Sequence, residues 1–122
     1  MHGGRPFQYR KNFLMNSTPK TQVATFASTG DLVEHAVERF IQYVCKKGKN
    51  HTFHVAFSGG RIAQPFLAAL AKSLSQCAQR TASLEVYFAD ERCVPLDHSD
   101  SNFSLFANHF LPFHRLEDHQ LH

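Results

Sequence analysis

Two short polar runs in this 122-residue chain hold the side chains best suited to chemistry: Ser58-Gly59-Gly60-Arg61 and Asp90-Glu91-Arg92. Each follows an apolar stretch, "FHVAF" at 53–57 and "LEVYFA" at 84–89. The first run precedes a helix-like pattern, and a helix amino terminus carries unpaired N–H donors and about half a positive charge, which together attract anions. Glycine lets that backbone approach a ligand closely, because no Cβ stands in the way and unusual dihedrals are accessible. Ser58 adds a hydroxyl, and Arg61 a guanidinium able to grip phosphate oxygens through two parallel hydrogen bonds. In the second run Arg92 can neutralise a phosphate or a developing oxyanion. A carboxylate beside it, Asp90 or Glu91, can orient water, accept a proton or bind a sugar hydroxyl. Plainer readings stand beside these: a Gly-Gly pair serves tight turning in many α/β proteins, and three adjacent charges can be solvated or paired with each other.

Other chemistries lack their spacing. Neither G-x-G-x-x-G nor G-x-x-x-x-G-K-[ST] occurs, so the dinucleotide and P-loop readings lack their defining spacing and rank low. Cys45, Cys77 and Cys93 are odd in number and show no C-x-x-C, which argues against a disulfide framework or a cysteine zinc site and fits a reducing compartment. The nine histidines are scattered, with no H-x-x-x-H pair on an expected helix, so no metal site is expected.

The elements that must position the two runs follow from periodicity. "QVATFA" at 22–27 reads as a short strand. In the stretch after it, Val33, Ala36, Val37, Phe40, Ile41 and Val44 recur with the spacing of a helix that has one buried stripe. Asp31 with Glu34 suggests a capping box at its start, Lys46 and Lys47 suit its carboxyl end, and Gly48 can terminate it. Past the strand 53–57 and the glycines, Phe66, Ala69, Leu70, Ser73, Leu74 and Cys77 repeat a helical stripe, with Pro65 in the first turn. The third strand, 84–89, leads through the loop "DERCVPLDHSDS" to a last helix with Phe103, Phe106, Ala107 and Phe110 on one side and Asp100 or Ser101 as cap. The order β-α-β-α-β-α implies an α/β fold, a three-layer Rossmann-like parallel sheet flanked by helices. In such a sheet the loops after the strands' carboxyl ends form the functional edge, so "SGGR" and "DERCVPLDHSDS" belong on one rim.

Composition bounds the rest. The length suits one domain, and 43% hydrophobic with 19% charged residues is ordinary for a globular protein. Residues 1–20 show no sustained period and read as a flexible basic tail, leaving 21–122 as the folded unit. That tail carries four of the basic side chains and no acid, while the remainder holds nine basic and ten acidic ones. The net charge of +3 therefore does not mark a nucleic-acid surface. The longest apolar run, "FLAALA", is too short to cross a membrane. A cytoplasmic location is expected, with organelle targeting by the basic tail left open.

The motifs "FSGGR" and "FADERCVPLDHSDSNFSLF", with their spacing, resemble the amino-terminal half of the 6-phosphogluconolactonases, within the glucosamine-6-phosphate isomerase/deaminase superfamily. The resemblance covers about residues 23–113. It implies hydrolysis of 6-phosphoglucono-1,5-lactone to 6-phosphogluconate in the pentose phosphate pathway, without metal or organic cofactor. It matches Ser58, Gly59 and Gly60 to the phosphate loop, and Arg61, a further expected phosphate partner, departs from the Ser or Thr that usually follows them in the family. Asp90, Glu91 and Arg92 match the catalytic rim, and Asn102 opens the next helix beside the pocket. The aminosugar deaminases are less similar, since they typically follow Asp-Glu with an aromatic residue where this chain has Arg92. The family's later "G-x-D-G-H-T" segment, whose histidine is the expected general base, has no counterpart here. The expectation is thus a truncated lactonase-type domain of reduced activity, with a sugar phosphate as ligand. The alternative is a non-catalytic module that binds sugar phosphate or associates through an exposed sheet edge.

Overall fold

The computed structural model describes residues 8–11 and 21–122. The chain divides at Leu32/Val33 into two compact units. In the first, the strands β1 (Gln8–Lys11) and β2 (Gln22–Thr25) pair antiparallel, with Gln8 opposite Thr25. The strand expected at 22–27 is present, but it forms a two-stranded sheet with a segment read as tail rather than heading the parallel sheet. The four-residue β1 carries too little apolar alternation to announce itself; only the pairing reveals it.

Helix α1 (Thr29–Lys47) starts earlier than the sequence suggests. Its cap is Ser28, whose Oγ accepts the Asp31 N–H at 3.1 Å, because a short hydroxyl reaches the third helical amide directly. At the other end Gly48 adopts φ +86° and donates its N–H to the Val44 carbonyl at 3.2 Å, the left-handed termination that glycine permits.

In the second unit, β3 (Thr52–Phe57) and β4 (Ser83–Phe88) pair in parallel, from Thr52 opposite Ser83 to Phe57 opposite Phe88. Helix α2 (Ala63–Cys77) connects them, and α3 (Asn102–His109) follows β4. A 3-10 turn at Asp118–Gln120 then brings Leu121 into a parallel bridge with Val86.

Pleating sends Phe53, Val55 and Phe57 of β3, with Leu84, Val86 and Phe88 of β4, to one face. Phe40 of α1 meets Phe53 edge-on at 5.4 Å, and Phe106 of α3 stacks on Phe57 at 5.6 Å and meets Phe88 at 5.7 Å. Leu67, Leu70, Ala71 and Leu74 of α2 are buried in the same core. The α2 stripe is thus turned toward Leu67 and Ala71, while Phe66 and Ala69 are only partly buried. The other face carries a polar and aromatic row. There Tyr87 lies within 3.4 Å of His54 Nδ1 and stacks on His122, whose Nε2 is 2.6 Å from Glu85 Oε2. The described helices pack on the apolar face of this parallel sheet, the α/β arrangement that the sequence implies.

All three cysteines are free thiols, and burial, with Cys45 close by, pushes the Cys77 thiol up. No described helix is long and apolar enough to cross a membrane. Phe106 is fully buried and touches Phe57, Phe88 and Phe110. Its replacement, Phe106→Ala, is expected to cost about 3–5 kcal/mol in denaturant unfolding and to release α3 from the sheet.

Candidate active site

Because β3 and β4 are parallel, adjacent and in register to their last residues, the segments that leave them emerge side by side. The ladder runs one step further, with Ala89 N–H donating to the Phe57 carbonyl at 2.9 Å. Ser58 and Asp90 then face each other, and Ser58 Oγ donates to Asp90 Oδ1 at 2.7 Å. This bond spans 32 residues of sequence and joins the two polar runs.

Asn102, the first residue of α3, completes the junction. Its Nδ2 donates to the Asp90 carbonyl at 2.9 Å and to Asp90 Oδ1 at 3.2 Å. The Asn102 side chain lies against Gly59, where any Cβ would overlap its amide oxygen. Gly59 is thus required for close approach of a neighbouring side chain. Gly60 has φ +110°, a conformation that side chains disfavour, and has open space around it. The two glycines meet different demands.

Glu91 is held differently. Oε1 accepts the N–H groups of Arg92 and Asn102, each at 2.7 Å, while Oε2 accepts Phe103 N–H at 2.9 Å and Ser101 Oγ–H at 3.2 Å. Ser101 Oγ in turn accepts Ser104 N–H at 3.2 Å. The amino end of α3 is therefore covered by a carboxylate and a hydroxyl, both favoured by its positive pole. Desolvation raises the Glu91 pKa, but the three backbone N–H groups and the Ser101 hydroxyl outweigh it and hold the carboxyl below its ordinary value.

The amino end of α2 is dressed in the opposite way. It has no side-chain cap and no acid in its first turn. Among the described residues, the N–H groups of Gly59, Gly60, Arg61 and Ile62 donate to no backbone carbonyl. Arg61 and Arg92 are exposed and take part in no ion pair among the described residues. Two free guanidiniums and a set of unspent amides thus share the rim with Asp90, whose Oδ2 is not used by Ser58 or Asn102. An arrangement of this polarity suits a phosphorylated ligand. No group of three or more His, Cys, Asp or Glu side chains suited to a metal occurs among the described residues.

The structure brings Ser58, Gly59, Asp90 and Asn102 into direct contact and places Glu91 beneath α3. Sequence reading missed Ser101 as Glu91's partner and missed Gly59 as the seat of Asn102. Ser101 carried a signal only as a cap, and a contact between residues 59 and 102 leaves no local trace.

The profile of the family "Glucosamine-6-phosphate isomerases/6-phosphogluconolactonase" matches residues 27–122. The chain belongs to this family. A 6-phosphogluconolactonase of Pseudomonas putida is 41% identical over 87 residues, 71% of this chain and 32% of that protein. A probable 6-phosphogluconolactonase of Drosophila melanogaster is 33% identical over 82 residues, 67% of this chain and 30% of that protein. The solved 6-phosphogluconolactonase from Trypanosoma cruzi shares the fold with a TM-score of 0.66 at 21% identity, covering 77% of this chain and 35% of that one. The chain spans about a third of the length of these family members.

Two outcomes follow from this geometry. Gly59→Ala is expected to displace Asn102 from Asp90 and lower unfolding stability by about 1–3 kcal/mol, read by denaturant titration, because a buried amide loses its partner. The depressed Glu91 pKa contributes stability above the ordinary glutamate range, and that contribution disappears as pH falls through the folded value. A melting-temperature series from neutral to acid pH should fall less steeply for Glu91→Gln than for the unaltered chain.

Proposed function

We propose that this chain carries the phosphosugar-binding half of a 6-phosphogluconolactonase site, with 6-phosphoglucono-1,5-lactone as substrate and 6-phosphogluconate as product. The observation that carries this reading is the Ser58 to Asp90 bond, which fastens the glycine loop to the acidic-basic loop at neighbouring strand tips. The lactonases among its relatives support hydrolysis over isomerisation, and the polarity of the rim matches a phosphosugar.

In this reading the phosphoryl group lies against the unspent N–H groups at the start of α2, with Arg61 and Arg92 on its oxygens. Asp90 is fixed by Ser58 and Asn102, so its remaining oxygen is placed to hold a water or a sugar hydroxyl. Glu91 acts as a positioning residue, because its oxygens are engaged by the amino end of α3 and it sets the loop from which Arg92 projects. Hydrolysis further needs a base near neutral pH. In its absence the rate falls by roughly 10²–10⁴, so binding without turnover is the second reading for the chain alone. His98 does not supply the base in this scheme: its Nδ1 accepts the Asp100 N–H at 3.0 Å. A cytoplasmic setting, and association through the outer edge of β3, belong to the same proposal.

Calorimetric titration with 6-phosphogluconate tests the site. Arg92→Ala is expected to weaken binding about ten- to a hundredfold, the worth of a charge-assisted hydrogen bond. Ser58→Asp should weaken it as well, by placing a second carboxylate beside Asp90 in the anion loop. Unchanged affinity in both variants would reject the site, and lactone turnover measured on the same chain separates catalysis from binding alone.

A further inference from the structure

At the opposite end of β4 lies a cavity of about 410 Å³, within the usual range of about 300–1,000 Å³ for small-ligand sites. The six residues of β4, roughly 17–20 Å of strand, separate it from the Asp90 loop. Its lining includes Lys49, Ser83, His114 and Arg115, and no Asp or Glu among the described residues that form it. Neither Lys49 nor Arg115 takes part in an ion pair among the described residues. The carboxyl end of α2 also opens here, contributing about half a negative charge. Two full positive charges outweigh it.

The hydrogen-bond inventory shows what is unspent. Gln120 Nε2 donates to Ser83 Oγ at 3.2 Å and to the Leu84 carbonyl at 2.8 Å, and its Oε1 accepts Glu117 N–H at 2.8 Å. Both amide hydrogens of Gln120 are spent, and the Ser83 hydroxyl proton remains free to donate. Ser75 donates its hydroxyl to the Phe113 carbonyl, so the 3.3 Å contact between Ser75 Oγ and His114 Nδ1 needs the proton on Nδ1. Neutral His114 therefore keeps Nε2 as an acceptor, and protonation turns it into a donor.

We propose that this cavity is a second binding site, distinct from the Ser58 to Arg92 rim, for the phosphoryl group of a small metabolite held by Lys49, Arg115 and Ser83. His114 makes its occupancy pH-dependent. Burial lowers its pKa; the charged side chains lining the cavity with it, Lys49 and Arg115, are positive, as is Lys72 over the Phe113 ring, while Glu117 on the following turn is engaged with Gln120. A bound anion of constant charge reverses that field, favours the protonated ring, and so binds more tightly as pH falls through the histidine range.

The test is an amide-resolved NMR titration of the 122-residue chain with inorganic phosphate and, separately, glucose 6-phosphate. Shifts at Thr81, Ser83 and Arg115 report this cavity, and shifts at Gly59 and Gly60 report the rim. Lys49→Gln combined with Arg115→Gln is expected to weaken the first set at least about tenfold and leave the second unchanged, whereas Arg92→Ala does the reverse. A tighter first set with glucose 6-phosphate than with inorganic phosphate identifies a phosphorylated sugar as the ligand; equal affinity identifies free phosphate. With sulfate, whose charge is constant near neutrality, affinity at Ser83 should rise as pH falls, and His114→Phe should flatten that rise. Absence of shifts at Thr81, Ser83 and Arg115, or their persistence in the double variant, overturns the second site whatever the rim does.

Discussion

Parallel pairing of β3 with β4, in register to the last residue of each, is the constraint on which the candidate site depends. Parallel strands need a crossover, and α2 supplies it, so the chain returns to the same end of the sheet twice and leaves it through two adjacent loops. Slippage of one strand by one residue would turn Phe57 or Phe88 to the other face and take Ser58 out of reach of Asp90. The aromatic contacts of Phe106 with both strand ends make such a slip expensive. Core packing on one face thus holds the hydrogen-bonded junction at the tips.

The rim divides its electrostatics between two helix ends. Glu91 and Ser101 cover the start of α3, and both Glu91 oxygens are engaged there. The start of α2 carries no such cover, and its positive pole follows directly on Arg61. Of two adjacent acids, one serves the scaffold and the other serves the loop junction. Their environments, rather than their residue types, set that division.

The two ends of the β3–β4 sheet are both polar, for different reasons. The carboxyl end gathers loops that touch one another through Ser58, Asp90 and Asn102. The amino end gathers the finish of α2, the start of β4 and the segment 114–120 around a cavity. That segment is tied down by Gln120 and by the bridge from Leu121 to Val86. The same α2 and β4 span both ends, so each carries one terminus at the rim and the other at the cavity.

Local physics made much of this legible in the sequence. Hydrophobic periodicity placed α1, α2, α3 and the strands β2, β3 and β4, because burial of one stripe or one face is a property of spacing alone. The motifs at 58–61 and 90–92 located the rim, since loops after parallel strands must meet there. Pairing was decided only in three dimensions: β1 has no periodic signal, and β2 took it as partner. The cap of α1 moved to Ser28, whereas Ser101 caps α3 as its residue type suggests and Glu91 joins it there only through the fold. The need for glycine at 59 is set by Asn102, 43 positions away, and no window along the chain contains both. Sequence determines what each segment can bury; only tertiary contact decides which polar atom answers which.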